Sequence, residues 1–141
     1  MEENETYNTP KDIPAHVSEP EMLYAVRQNN IDTVYLTNLK EVSGLKDETL
    51  STSLNMNIKT FRSYKMTPLP MKPHLQEHVF AMLSLYRHGI EVFGSHKRFN
   101  DWMDKPNFFF DNDKPVNFLT TITGIRHLDN RLTAIEYGDN V

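Results

Sequence analysis

Residues 73–94, PHLQEHVFAMLSLYRHGIEVFG, decide the fold. Pro73 suits a first helical turn, and Leu75, Val79, Met82, Leu83, Tyr86, Ile90 and Phe93 then keep to one face until Gly94 interrupts. This spacing predicts a core helix of roughly twenty residues, the most strongly periodic element in the chain. Just before it, TPLPMKPH (67–74) holds three prolines in a short run and reads as a hinge between two modules.

On either side of this helix the pattern stays helical, and no alternating strand is evident. PEMLYAVRQ predicts a short helix entered at Pro20, with Leu23, Val26 and Met22 as its apolar side. IDTVYLTNLKEVSG spaces Val34, Leu36, Leu39 and Val42 so that a helix can end on Gly44, although its Val, Tyr and Thr also suit a strand. LKDETLSTSLNMNIKTFRSYKM (45–66) reads as helix, tight turn, helix, with Leu45, Thr49 or Leu50, and Leu54 before the break and Ile58, Phe61 and Tyr64 or Lys65 after it. In a helix-turn-helix module the second helix enters the major groove. Its exposed side would offer Lys59, Thr60, Arg62, Ser63 and Lys65, with no acidic residue between Asn55 and Met66. A basic helix face that is merely solvated gives the same pattern.

Downstream, Ser95 can cap a helix in HKRFNDWMDK, which stops before Pro106. NFFF then gives aromatic loop residues, and VNFLTTI a short helix packed through Phe118, Leu119 and Ile122. The last amphipathic element, TGIRHLDNRLTAIEYG, places Ile125, Leu128, Leu132 and Ile135 on one stripe, with Arg126, Asp129, Asn130 and Thr133 facing out, until Gly138 stops it.

Composition narrows the chemistry. The 141 residues contain no cysteine, which excludes disulfides and thiolate chemistry and fits a reducing cytoplasm. The net charge is −4, but residues 1–21 alone carry −5, from Glu2, Glu3, Glu5, Asp12, Glu19 and Glu21 against Lys11, so the remainder is +1. With Pro10, Pro14 and Pro20 it reads as a disordered or loosely attached acidic arm, neither signal peptide nor membrane anchor. HLQEH (74–78) matches the H-x-x-E-H pattern of inverted zinc peptidases, but its first histidine sits beside the hinge and no cleft is evident, so no metal is expected. DNDKP (111–115) lacks the glycine and glutamate of a calcium loop and reads as a turn, with Asp113 as a cap and Pro115 near the first helical position. His88, His96 and His127 are expected at the surface or as caps.

The run from Ile90 to Gly138 resembles the C-terminal domain of the Xre/MbcA/ParS antitoxins. The resemblance rests on Glu91 to Gly94, Trp102, Pro106, Asn107, Pro115, Leu119, Gly124 and Ile135 to Gly138, which occur in the family's order and spacing. The same family carries an Xre-type helix-turn-helix upstream, where residues 45–66 place one. The resemblance implies an antitoxin of a type II toxin–antitoxin system, paired with a RES-domain toxin that consumes NAD or transfers ADP-ribose from it. It further implies a homodimer, a terminal segment that covers the toxin's active site, and a DNA-binding module that represses the antitoxin's own operon. Arg131, Ile135, Glu136, Tyr137 and Gly138 are then the expected toxin-binding residues. Many relatives carry an arginine where this chain has Ala134, which leaves Arg131, one turn earlier, as the nearest cation.

The expectation is therefore an all-α protein with an arm (1–21), an Xre-like helix-turn-helix module (22–70) and a helical toxin-binding domain (71–141). It would be cytoplasmic, without catalysis or cofactor, and act by occlusion. A stand-alone helix-turn-helix regulator whose C-terminal domain serves dimerisation is the alternative.

Overall fold

The computed structural model describes residues 13–28, 31–66 and 70–141. Over these residues the chain is all-α, as the periodicity predicts. The helices are α1 (Glu19–Arg27), α2 (Thr33–Ser43), α3 (Asp47–Ser53), α4 (Ile58–Met66), α5 (Pro73–Phe93), α6 (His96–Met103) and α7 (Ile122–Glu136). Two 3-10 segments, Phe108–Phe110 and Pro115–Thr120, lie between α6 and α7. Among the described residues no helix is long and apolar enough to cross a membrane.

Helix α5 has α1, α2, α6 and α7 packed around it. Its burial is wider than the single stripe read from the sequence, since Phe80, Ala81, Leu85 and His88 are enclosed along with Val79, Met82, Leu83 and Tyr86. A helix covered on several sides needs apolar residues between the i, i+3, i+4 positions as well as on them. Gly89 lets α6 come close, because a Cβ there would stand 2.4 Å from ring carbons of Phe99. Phe99, Trp102 and Phe93 stack beside that contact. The Tyr86 hydroxyl donates to Asn100 Oδ1 (2.7 Å), and Asn100 Nδ2 donates to the Ser43 carbonyl (2.6 Å), so one polar chain links α5, α6 and the end of α2 inside the core.

Capping sets the helix ends. The side chains of Ser18, Asp32, Ser95 and Thr121 accept first-turn N–H groups of α1, α2, α6 and α7. Helices α2 and α5 stop at Gly44 and Gly94, both left-handed. The expected VNFLTTI helix is instead split by Thr121, whose extended backbone ends the 3-10 segment and caps α7. Gly124 makes that break possible, since a Cβ would lie 2.1 Å from the Phe118 carbonyl oxygen. Asp113 sits one residue outside the cap position, which Lys114 takes, and accepts from Lys114 N and Asn117 Nδ2.

Other expectations are redrawn. The arm is described only from residue 13, and from there it packs: Ile13 is buried and Ser84 Oγ donates to the carbonyls of Pro14 and Ala15 (3.0 and 3.2 Å). Leu23, read as core-facing, is 61% exposed, while Ala25 is buried. Val34 is likewise exposed, and Tyr35 takes the buried position on α2. Residues 67–69 of the proline-rich stretch lie outside the described residues.

Helices α3 and α4 pack on each other across a turn in which Asn55 is left-handed (φ 58°). The Asn55 amide donates to the Thr120 carbonyl (2.8 Å), tying the turn to the segment before α7. Asp47, in the first turn of α3, pairs with Lys40 of α2 and with Arg62 (3.3 Å) and Lys65 (3.2 Å) of α4. Lys40, with help from Lys65 and Arg62, outweighs the cost of burial and holds the Asp47 carboxyl at about 2, against its ordinary 3.8.

Two predictions follow from this packing. Gly89→Ala should destabilise the protein by about 1–3 kcal/mol, the range for overpacking a filled core, read as a lower urea midpoint. Asp47→Asn should cost about 1 kcal/mol or less at pH 7, as partly exposed ion pairs do. Because the folded carboxyl is depressed, the wild-type advantage is complete above its ordinary value and shrinks as pH falls from 3.8 toward about 2. Urea midpoints of both proteins across that window check this, and a gap of constant size would contradict it.

Candidate functional site

The end of α7 and the segment after it form the candidate site. Helix α7 closes in a Schellman arrangement: the Gly138 N–H donates to the Ile135 carbonyl (3.0 Å), the Asp139 N–H donates to the Ala134 carbonyl (3.1 Å), and Gly138 is left-handed (φ 94°). This reversal explains the glycine in IEYG and sends Asp139–Val141 back across the protein. Ile135 packs against the core at the last turn. Tyr137 occupies the cap position, where its ring is 87% exposed.

Arg131 fastens the returning segment. It is only 9% exposed, lies over the Phe109 ring with its guanidinium carbon 3.4 Å from the centroid, donates through Nη1 to Asp139 Oδ2 (3.0 Å), and reaches the Asn140 carbonyl through Nη2. The Asn140 N–H and the Arg131 guanidinium hold the Asp139 carboxyl below the usual carboxylate range. On the far side of the segment, Trp102 Nε1 donates to the Val141 carbonyl (3.0 Å), and the Asn107 amide points to the same oxygen. Arg131, expected to face a partner, is thus turned inward as a clamp. Its planar fork meets a ring, a carboxylate and a carbonyl together, which a lysine could not do.

Beside the clamp stand Phe108 and Phe109. Asn107 Oδ1 accepts the Phe109 N–H (2.9 Å), starting the 3-10 turn that points Phe110 into the core against Trp102 and Phe118. The turn leaves Phe108 79% exposed and Phe109 at the surface, their rings edge to face. Exposed aromatics of this size carry much of the free energy of protein–protein contacts. In the sequence, NFFF reads as aromatic loop residues, and adjacent aromatics in a turn are the signal that could mark an exposed contact surface.

On the other flank of α7 lies a polar cluster. His88, expected near the surface, is fully buried. Its Nδ1 pairs with Asp129 Oδ1 (2.6 Å), and its Nε2 faces Glu136 Oε2 at 3.1 Å, off the line of a hydrogen bond. Asp129, read as facing solvent, is therefore half turned in to meet α5. Burial opposes charge on the ring, and the two carboxylates outweigh it, so the imidazole titrates above its ordinary value. Glu136, one of the expected partner-binding residues, is in this way held from behind by its own fold.

The expected DNA-binding residues share the outer face of α4. Lys59, Thr60, Arg62, Ser63 and Lys65 are exposed, but Arg62 and Lys65 are already paired with Asp47, and the Ser63 hydroxyl donates to Thr60 O (2.7 Å). In the HLQEH stretch, His78 is buried with Nε2 on the Leu119 carbonyl (2.7 Å), and burial lowers its pKa.

Comparison with curated proteins gives no match. Residues 88–138 match the family model described as the antitoxin Xre/MbcA/ParS C-terminal toxin-binding domain. The matched stretch runs from His88 in α5 through the two 3-10 segments to the glycine that reverses the chain, and so contains the aromatic pair, the arginine clamp and Tyr137. On that match, the C-terminal part of this chain, residues 88–138, belongs to the Xre/MbcA/ParS family of antitoxin toxin-binding domains.

Proposed function

We propose that this protein neutralises a RES-domain toxin that consumes NAD or transfers ADP-ribose from it, by laying the end of α7 over the toxin's active site. The observation that carries this reading is the exposed Tyr137 ring at the rim of the reversal, on a backbone fixed by the Schellman bonds and the Arg131 clamp. A rigid aromatic presented this way loses little conformational freedom on docking. Phe108 and Phe109 extend the apolar surface, and Glu136 adds a carboxylate beside it for the cations of a nucleotide-phosphate pocket. The family match supports a toxin partner; the RES class comes from the sequence resemblance. Occlusion is stoichiometric and asks for no catalytic group or cofactor from this chain.

A second role, repression of its own operon by a homodimer through residues 22–70, is favoured by the α3–turn–α4 geometry, with Lys59 on the exposed face. With Arg62 and Lys65 engaged by Asp47, Lys59 is the cation on α4 most available to a phosphate. Thr60 and Ser63 are placed beside it for polar contacts.

Tyr137→Ala should leave the circular dichroism spectrum and melting temperature unchanged, since the ring is nearly bare, yet abolish protection when co-expressed with a cognate RES-domain toxin. Growth and cellular NAD are read together; full protection by the folded variant would remove Tyr137 from the occluding surface. Truncation after Leu132 is the poorer test, because it also deletes Glu136, which faces buried His88, and the segment bound by Trp102 and Arg131. For the second role, Lys59→Ala should weaken binding to the promoter fragment and lower the salt slope by about 1. An unchanged gel shift at matched salt would take α4 out of the interface.

A further inference from the structure

We propose that His16, Glu91, Glu136 and the buried His88 form a binding site for a divalent transition-metal ion of the zinc class. The donors come from three separated pieces of chain. His16 lies in the segment before α1, His88 and Glu91 are one turn apart on α5, and Glu136 ends α7. One donor atom each from His16, Glu91 and Glu136 lie within 4.8 Å of one another, and so do donors from His16, His88 and Asp129. The His16 and His88 rings meet edge to face with centroids 4.3 Å apart.

His88 gives the cluster its direction. Its Nδ1 is fixed by the Asp129 carboxylate (2.6 Å), and its Nε2 is fully buried without an aligned hydrogen bond. A carboxylate on one ring nitrogen is the usual support for an imidazole that binds metal through the other, since it sets the tautomer and orients the ring. Nε2 faces the Glu136 carboxylate at 3.1 Å, and Glu136 in turn stands with His16 and Glu91, so the buried donor adjoins the exposed group through Glu136. Asp129 is thus a positioning residue and the other four are ligands.

Charge points the same way. Glu91 and Glu136 bring carboxylate oxygens within 4.8 Å of each other, a like-charge approach that a bound cation between them relieves. Two imidazoles with two carboxylates suit zinc or a neighbouring transition ion, whereas magnesium and calcium prefer all-oxygen sets. Tetrahedral ligands at about 2.0–2.2 Å from zinc stand roughly 3.3–3.6 Å apart, against 3.1 Å from Nε2 to Glu136 and up to 4.8 Å within the exposed group. His16, Glu91 and Glu136 are exposed, so small side-chain rotations close the gap and an ion can enter from solvent.

The test uses the full chain freed of metal by chelation and titrated with Zn2+ at pH 7, reading heat of binding and melting temperature. One ion per chain and a raised melting temperature are expected, with no response to Mg2+ at the same concentration. His16→Ala and Glu91→Gln should each weaken Zn2+ binding by about tenfold or more while leaving the metal-free melting temperature unchanged. Absence of saturable binding, or Zn2+ binding that survives both substitutions and so resides elsewhere, would overturn the site. The readout is metal alone, so it stands or falls apart from toxin neutralisation.

Discussion

Enclosure of α5 is the constraint on which the other elements depend. Removing a large apolar side chain from water contributes about 1.5–3 kcal/mol, and α5 supplies Val79, Phe80, Met82, Leu83, Leu85 and Tyr86 to one contiguous cluster. That cluster also takes in Leu36, Leu39, Leu50 and Phe61 from α2, α3 and α4, and Phe99, Leu119, Leu128 and Leu132 from the C-terminal elements. Helices too short to persist alone in water, such as α3 and α6, are held because they cover part of it. Polar groups that α5 carries into the interior find partners on other elements: Tyr86 with Asn100, Ser84 with the backbone at Pro14 and Ala15, and His88 with Asp129.

Among the described residues, several cations are spent on the protein's own carboxylates and carbonyls. Arg62, Lys65 and Lys40 converge on Asp47, Arg126 pairs with Glu19, and Arg131 is folded under the segment it clamps. An excess of basic residues over a stretch of sequence is therefore a poor guide to the field that a partner would meet. The outward surface at the end of α7 is aromatic and acidic instead. That character fits contact with a basic surface better than contact with another acidic one.

Much of the architecture was legible because helices announce themselves by period and caps. Gly44, Gly94 and Ser95 end or begin elements where the sequence puts them, and Asn55 in NMN marks the turn between α3 and α4. What stayed hidden depends on long-range partners. His88 looks like any polar residue on a long helix until α7 brings Asp129 and Glu136 to it, and Asp129 reads as solvated for the same reason. Leu23 fits an apolar stripe, yet α1 turns Ala25 and Val26 to the core, which a short segment's periodicity does not determine. Arg131 is the cation nearest the position where relatives carry an arginine, but its direction is set by Phe109 and by a segment eight and nine residues further on.

The position of Trp102 has an optical consequence. It is the sole tryptophan in the chain, its indole is nearly dry among Phe93, Phe99 and Phe110, and its N–H is bound to the Val141 carbonyl. Any event that lifts Asp139–Val141 breaks that bond and admits water to one edge of the ring. Emission would then move to longer wavelength with no label attached. The protein thus carries a native fluorophore at the base of the surface it offers to a partner, able to report in real time whether the returning segment stays docked.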